Sequence, residues 1–124
     1  MDINQINILV LAYLGDSVYE IKIRDYLIAK GYNKVNKLQS LSLNYVTAKK
    51  QCQFINKMLD ENILSEDEIN IVKRGRNAKV YSHPKNTDIL TYKWATALES
   101  LFGYLHLLKK EDRINELIKY IVGE

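Results

Sequence analysis

The sequence predicts an all-α fold. Apolar residues recur at three- and four-residue spacings along most of the chain, no period-two apolar run is bounded by turn pairs, and there are no internal repeats or low-complexity tracts. At 124 residues the chain suits one domain, 1–124, able to bury a core without disulfides or structural metal. The lone cysteine, Cys52, has no partner in the chain and reads as a packing residue; no Cys/His spacing fits a zinc site. A reducing, cytoplasmic setting is therefore expected. The longest apolar run, Ile8 to Leu14, is seven residues, and nothing cationic precedes it, so neither a membrane span nor a signal peptide is expected.

The first helix is predicted from about Gln5 to Ala29, stopped by Gly31 after Lys30. At 3.6 residues per turn, Ile6, Leu9, Val10, Tyr13, Ser17 and Ile21 share one face, with Asp16 and Glu20 four apart on its flank. Asn33 to Asn36 reads as loop. Leu38, Leu41, Tyr45, Ala48, Cys52, Ile55 and Leu59 step by three and four, predicting one further helical region that ends at Asp60-Glu61-Asn62 and turns Lys49, Lys50 and Lys57 to water. Ser65-Glu66-Asp67-Glu68 is a capping box, opening a helix that carries Ile69 and Val72 inward and ends in Lys73-Arg74-Gly75-Arg76-Asn77. A loop over 78–85, holding the only proline, leads to the cap Asn86-Thr87-Asp88. The next helix carries Trp94, Ala95, Leu98, Leu101, Phe102, Leu105 and Leu108 as a broad core stripe and should be the most deeply buried. A short amphipathic helix from Arg113 to Val122 follows.

Net charge is only +3, but it is unevenly spread. Between Glu68 and Asp88 there is no acid, while Lys73, Arg74, Arg76, Lys79 and Lys85 all fall there. A second acid-free run, from Tyr26 to Leu59, carries Lys30, Lys34, Lys37, Lys49, Lys50 and Lys57. A cationic middle with acids set into apolar helices suggests an anionic polymer held by one surface and worked on by another. Clustered cations after a helix also fit a solvated cap that complements the helix dipole.

The acids are the sharper signal. Asp16 and Glu20 lie inside an apolar helix, and Ala12 and Gly15 thin its surface so that another backbone, an ion or a phosphate can approach. Spacing alone also fits a surface Asp and Glu on an amphipathic helix. Glu99 sits at the edge of the later core stripe, where a carboxylate needs a cationic partner, a metal ion or a raised pKa. Oxygen-only ligands select Mg²⁺ or Mn²⁺ over zinc, and two carboxylates with waters and a substrate phosphate are a usual Mg²⁺ set. Phosphodiester hydrolysis suits such a site and needs no histidine. His83 and His106 read as structural or substrate-facing.

Leu14-Gly15-Asp16-Ser17 after an aromatic residue resembles the signature helix of the ribonuclease III family. Ala97-Leu98-Glu99-Ser100-Leu101-Phe102-Gly103 is similar to the family's second metal-binding helix. Arg74-Gly75-Arg76-Asn77-Ala78-Lys79, Pro84-Lys85-Asn86-Thr87-Asp88 and the Glu20 to Arg24 stretch resemble its small branch, Mini-ribonuclease III, which lacks a double-stranded-RNA-binding domain. The resemblance covers nearly the whole chain. It implies the ribonuclease III helical fold and an Mg²⁺-dependent endoribonuclease, with Mn²⁺ as a substitute ion, that cuts double-stranded RNA to 5′-phosphate and 3′-hydroxyl ends. Asp16 and Glu99 become the catalytic, metal-holding pair, with Glu20 and Thr96 beside the ion. Ala12 and Thr96 stand where the larger enzymes carry further acids, so Asp16 and Glu99 can anchor one ion, while a second would rely on Glu20, substrate oxygens or water.

The same resemblance implies RNA contacts from Arg74, Arg76, Asn77, Lys79 and Lys85, and a homodimer with Tyr13 in the interface. It also implies a precursor of large-subunit (23S) ribosomal RNA as substrate, with a ribosomal protein as a candidate accessory that presents it. The rival reading is a non-catalytic double-stranded-RNA-binding or ribosome-associated module of the same fold. Loss of Asp16 or Glu99 would favour that rival, and both are present.

Overall fold

In a computed structural model that describes residues 2–80 and 82–124, six α-helices and no strand form among those residues. They are α1 (Ile8–Ala29), α2 (Val35–Val46), α3 (Ala48–Asp60), α4 (Glu66–Arg76), α5 (Ile89–Leu107) and α6 (Glu111–Val122). Tyr81, in the loop expected over 78–85, lies outside the described residues. The all-α expectation holds. Among the described residues no helix is long and apolar enough to cross a membrane.

Helix α5 is the axis of the fold, as its apolar stripe predicts. Every residue from Ala95 to Leu105 is buried except Glu99, and α1, α3 and α4 pack directly against it. Asp88 starts α5 by accepting hydrogen bonds from the Thr91 N–H at 2.9 Å and the Thr91 hydroxyl at 2.7 Å. Leu108 falls outside the expected stripe: the helix stops at Leu107, Lys109 turns into the left-handed region at φ 58°, and Leu108 is left exposed.

Helix α1 begins later than expected. Ile3–Gln5 forms a separate 3₁₀ turn, and the Asn7 side chain caps α1 by accepting from the Leu9 N–H at 2.8 Å. Its inward face is also not the expected one. Leu11, Ala12, Gly15, Val18, Tyr19, Ile23 and Leu27 are buried, whereas Leu9, Val10, Tyr13, Ser17 and Ile21 remain exposed. The helix is apolar on two sides, so periodicity alone offers two candidate faces.

The long helical region expected over 38–59 is two helices. Thr47 takes an extended conformation (φ −68°, ψ 152°) and caps α3 by accepting from the Lys50 N–H at 3.2 Å. A single extended residue barely disturbs the three-four spacing, which conceals the break. Helix α2 starts at Val35, inside the stretch expected as loop, and α6 starts at Glu111, two residues early. Lys49 and Lys57 face water as expected, while Lys50 is half-buried.

The capping box of α4 forms in full. The Ser65 hydroxyl accepts from the Glu68 N–H at 3.2 Å, and Glu68 accepts from the Ser65 N–H at 2.8 Å. Glu68 is buried and also meets Arg113 of α6, whose Nε and Nη2 donate to its two oxygens at 2.9 and 2.8 Å. Arg113 Nη2 further donates to the Ile63 carbonyl at 2.6 Å. Burial pushes the Glu68 carboxyl up, but the Arg113 hydrogen bonds and the Ser65 N–H outweigh it and hold the group below its ordinary value. The pair therefore stabilises the fold above the ordinary carboxylate pKa, and that contribution is lost as pH falls through the depressed value. Arg113→Ala leaves a buried carboxylate unpaired and is expected to cost about 3–5 kcal/mol in urea unfolding at pH 7, with a smaller deficit near pH 3. An equal deficit at both pH values would remove the charge from the explanation.

Candidate active site

Two glycines bring the acids together. A Cβ at Gly15 would lie 1.6 Å from the Glu99 carbonyl oxygen, and one at Gly103 would lie 2.0 Å from the Leu11 carbonyl oxygen. Helices α1 and α5 thus cross with their backbones in contact, the close approach anticipated at Gly15. Asp16, next to that glycine, then stands beside Glu99 across the crossing.

The electrostatics follow from this placement. Asp16 is exposed, whereas Glu99 is largely withdrawn between helices. Burial is the main force pushing the Glu99 carboxyl up to about 8; the neighbouring Asp16 charge and its oxygen contact add to it, and Glu20 adds further. The Gln51 amide acts in the opposite direction. Of the three outcomes open to Glu99, a raised pKa is the one the side chains produce by themselves. Glu20 is partly committed elsewhere, to an ion pair with Arg24 at 3.8 Å.

Thr96 is buried on α5, with its hydroxyl donating to the Tyr92 carbonyl at 3.0 Å. Its side chain thereby serves its own helix. Ser100 bonds similarly to the Thr96 carbonyl at 2.8 Å.

The basic stretch divides in two. Arg74 is half-buried and donates from Nη2 to the Ile6 carbonyl at 3.1 Å, fastening the segment that leads into α1. Arg76 lies over the Trp94 ring, 5.2 Å from its centroid. By contrast Asn77, Lys79 and Lys85 are exposed. Gly75 seats this end of α4 on α5: a Cβ there would lie 2.8 Å from both the Ala97 Cα and the Ser100 Oγ. Lys79 borders a surface depression with Leu9 and Tyr92, so the loop adjoins the start of α1. His83 stands near the Tyr92 ring and His106 is exposed. Cys52 is half-buried, and the Asn56 amide donates to its carbonyl at 2.8 Å.

A model of the ribonuclease III domain matches residues 9–110. This chain belongs to the ribonuclease III family. Within it, the chain is 47% identical over 121 residues to the Mini-ribonuclease 3 of Enterococcus faecalis, covering 98% of this chain and 92% of that one. It is 48% identical over 118 residues to the Mini-ribonuclease 3 of Brevibacillus brevis, covering 95% and 87%. The crystal structure of protein FN1578 from Fusobacterium nucleatum matches with a TM-score of 0.88 at 35% identity, over 100% of this chain and 99% of that one. As a ribonuclease III family member of the Mini-ribonuclease 3 kind, the chain is an endoribonuclease.

Enzymes of the family depend on a divalent metal, and the donor set here fits a hard cation. Asp16, Glu20 and Glu99 offer only oxygens, and the strain recorded in the raised Glu99 pKa is of the kind that a cation relieves. Among the described residues no group of three or more His, Cys, Asp or Glu side chains forms a ready-made metal cage.

Sequence reasoning did not find Tyr19 and Gln51 as parts of this region, and it held Gly103 only as part of the α5 motif, without its contact with the Leu11 backbone. The Tyr19 hydroxyl donates to the Tyr45 carbonyl at 2.7 Å, and burial, with lesser contributions from Tyr45 and Glu99, holds it above its ordinary value. Gln51 is 3% exposed. The available signal was its register: it precedes Ile55 and Met58 by four and seven residues, and those two line the true inward face of α3.

Proposed function

We propose that this enzyme cuts double-stranded RNA with Mg²⁺ held between Asp16 and Glu99, trimming the paired ends of the precursor of 23S ribosomal RNA. The observation that carries the reading is the backbone contact of α1 with α5, which sets two carboxylates side by side at a cost to Glu99. Asp16 approaches the ion from the solvent side and Glu99 from the buried side. Glu20 and Thr96 sit beside them on the same two helices, and Mn²⁺ serves as a substitute ion. A bound Mg²⁺ neutralises the scissile phosphate and lowers the pKa of the attacking water, giving 5′-phosphate and 3′-hydroxyl ends. Asp16 and Glu99 would hold that ion.

Duplex RNA offers phosphates and 2′-hydroxyls across a shallow minor groove, so cations at the site's edge read its shape. The exposure of Asn77, Lys79 and Lys85 supports this role for them, while Arg74 and Arg76 act by bracing the stretch that presents them. Lys79→Ala with Lys85→Ala is therefore expected to flatten the salt dependence of duplex binding by about one to two slope units, measured by filter binding across a salt series. Arg74→Ala is expected to lower thermal stability as well. A slope unchanged by the lysine pair would return the loop to a solvated cap.

The functional unit in this reading is a homodimer with two sites, one for each strand. Its support is the outward face of α1, where Tyr13 is 82% exposed between Val10 and Ser17, with Leu9 and Ile21 alongside. Tyr13→Ala is expected to move the protein toward monomer in sedimentation velocity and to lose cleavage in step. A wild-type monomer that cuts duplex RNA at full rate would contradict this. A ribosomal protein that presents the precursor is compatible with the small RNA-contacting surface of each protomer. The test of the function is a long RNA duplex incubated with purified protein, with Mg²⁺ or with EDTA. Mg²⁺-dependent products with 5′-phosphates are expected, and cleavage in EDTA or none in either condition would overturn it.

A further inference from the structure

We propose that the groove between the C-terminal half of α1 and α2 is a docking site for an acidic amphipathic helix of a partner protein. Arg24, Leu27 and Ile28 of α1 and Val35, Leu38 and Gln39 of α2 line a groove of about 290 Å³. The apolar wall there is largely unused by the fold. Leu27 alone among these side chains is buried, Ile28 is 58% exposed and Val35 is 67% exposed. No residue of α2 is fully buried: Leu38, Leu41, Tyr45 and Val46 pack partway against the core, and Val35 and Leu43 stay outside. A contiguous aliphatic patch between two helices is the surface that an amphipathic helix covers, with anchors at three- and four-residue spacing.

Charge selects the kind of helix. Asp25 is the only acid between Glu20 and Asp60, whereas Arg24 lines the groove and exposed Lys34 and Lys37 stand on either side of Val35 in the chain. Arg24 meets Glu20 at 3.8 Å with both side chains exposed, a weak contact that leaves guanidinium N–H bonds for a second carboxylate. Helix α2 also starts without a side-chain cap, so its first N–H groups, beside Val35, add to the attraction for an acid. Duplex RNA is anionic too, but Leu27, Ile28, Val35 and Leu38 offer it neither a hydrogen bond nor an aromatic face for a base. A second copy meeting this face about a two-fold axis would bring Arg24, Lys34 and Lys37 against themselves. A partner helix with aliphatic anchors and flanking Asp or Glu satisfies both the wall and its rim.

The probe is a displayed library of random peptides about four helical turns long, selected on the full chain and counter-selected on Val35→Lys. Val35→Lys removes apolar wall while adding a cation, so attraction by charge alone would grow. Enriched peptides should carry aliphatic or aromatic residues at three- and four-residue spacing together with Asp or Glu. Synthesised and labelled, they should bind wild type in fluorescence anisotropy and lose about tenfold or more in affinity for Val35→Lys. Arg24→Gln should weaken them about threefold or more and flatten their salt dependence. Val35→Lys itself should cut duplex RNA and sediment as wild type does. If it does not fold, Ile28→Lys, also at an exposed position, takes its place with the same expectations. Failure to enrich any peptide that tells wild type from the variant, or enrichment of peptides without acids, would overturn the proposal. So would a shift of the variant toward monomer, which assigns the groove to a second copy, or duplex RNA binding weakened several-fold, which assigns it to RNA.

Discussion

Glu99→Gln is expected to reduce cleavage of duplex RNA by about a thousandfold or more while raising the melting temperature of the metal-free protein. The two effects share one cause. Burial and the Asp16 charge push the Glu99 carboxyl up to about 8, so the folded protein binds a proton at pH values where the unfolded chain has released it. Stability contributed by protonated Glu99 is therefore complete below its ordinary pKa and is lost as pH rises toward the folded value. Glutamine imitates the protonated carboxyl at every pH. The variant should match wild type at pH 5 and exceed it by roughly 5–10 °C at pH 9. Mg²⁺ should narrow that gap by stabilising wild type alone. Differential scanning fluorimetry over pH 5–9, with and without Mg²⁺, reads all three expectations. A gap that does not grow with pH would deny the buried-charge account.

Gly15→Ala is expected to be among the most damaging single-methyl additions in the chain. The new Cβ would sit 1.6 Å from a backbone carbonyl oxygen of α5, and neither helix backbone can move aside as a flexible side chain would. Relief requires α1 and α5 to separate along the contact that buries Leu11, Val18, Leu98 and Phe102. Urea unfolding should show a loss of about 3 kcal/mol or more, and a folded remainder should cut RNA poorly because Asp16 and Glu99 no longer face one another. Gly103→Ala, 2.0 Å from the Leu11 carbonyl oxygen, should behave alike. Gly31→Ala is the control. It meets no atom within 4 Å and suffers only from its positive φ of 97°, which costs about 1–2 kcal/mol. Wild-type stability in Gly15→Ala would mean that the helices do not cross in contact.

Much of this was legible in the residues. The capping box at Ser65, the cap at Asp88 and the deep burial of α5 follow from local chemistry and apolar spacing, and the structure has all three. Ala12 and Gly15 announced a close approach on α1 without saying which partner would make it. The inward face of α1 was not legible, since Leu9, Val10, Tyr13 and Ile21 are as apolar as Leu11, Val18 and Ile23 and only the partner helix decides between them. The break at Thr47 was hidden because one extended residue leaves the spacing of its neighbours almost intact. Arg74 and Arg76 look like free cations in the sequence, yet the Ile6 carbonyl and the Trp94 ring that engage them come from distant segments. Gln51 was missed for a similar reason: its burial and its hydrogen bond to the Val46 carbonyl depend on the corner between α2 and α3, which the spacing conceals.

Calorimetric titration of Mg²⁺ into RNA-free wild type, Asp16→Asn and Glu99→Gln, run beside the duplex cleavage assay on the same preparations, tests the central claim most directly. Wild type should bind the ion and cut, and both variants should stay folded, lose the binding heat and lose cleavage together. Undiminished Mg²⁺ binding and near wild-type cleavage in either variant would contradict the assignment of the metal to this pair of carboxylates.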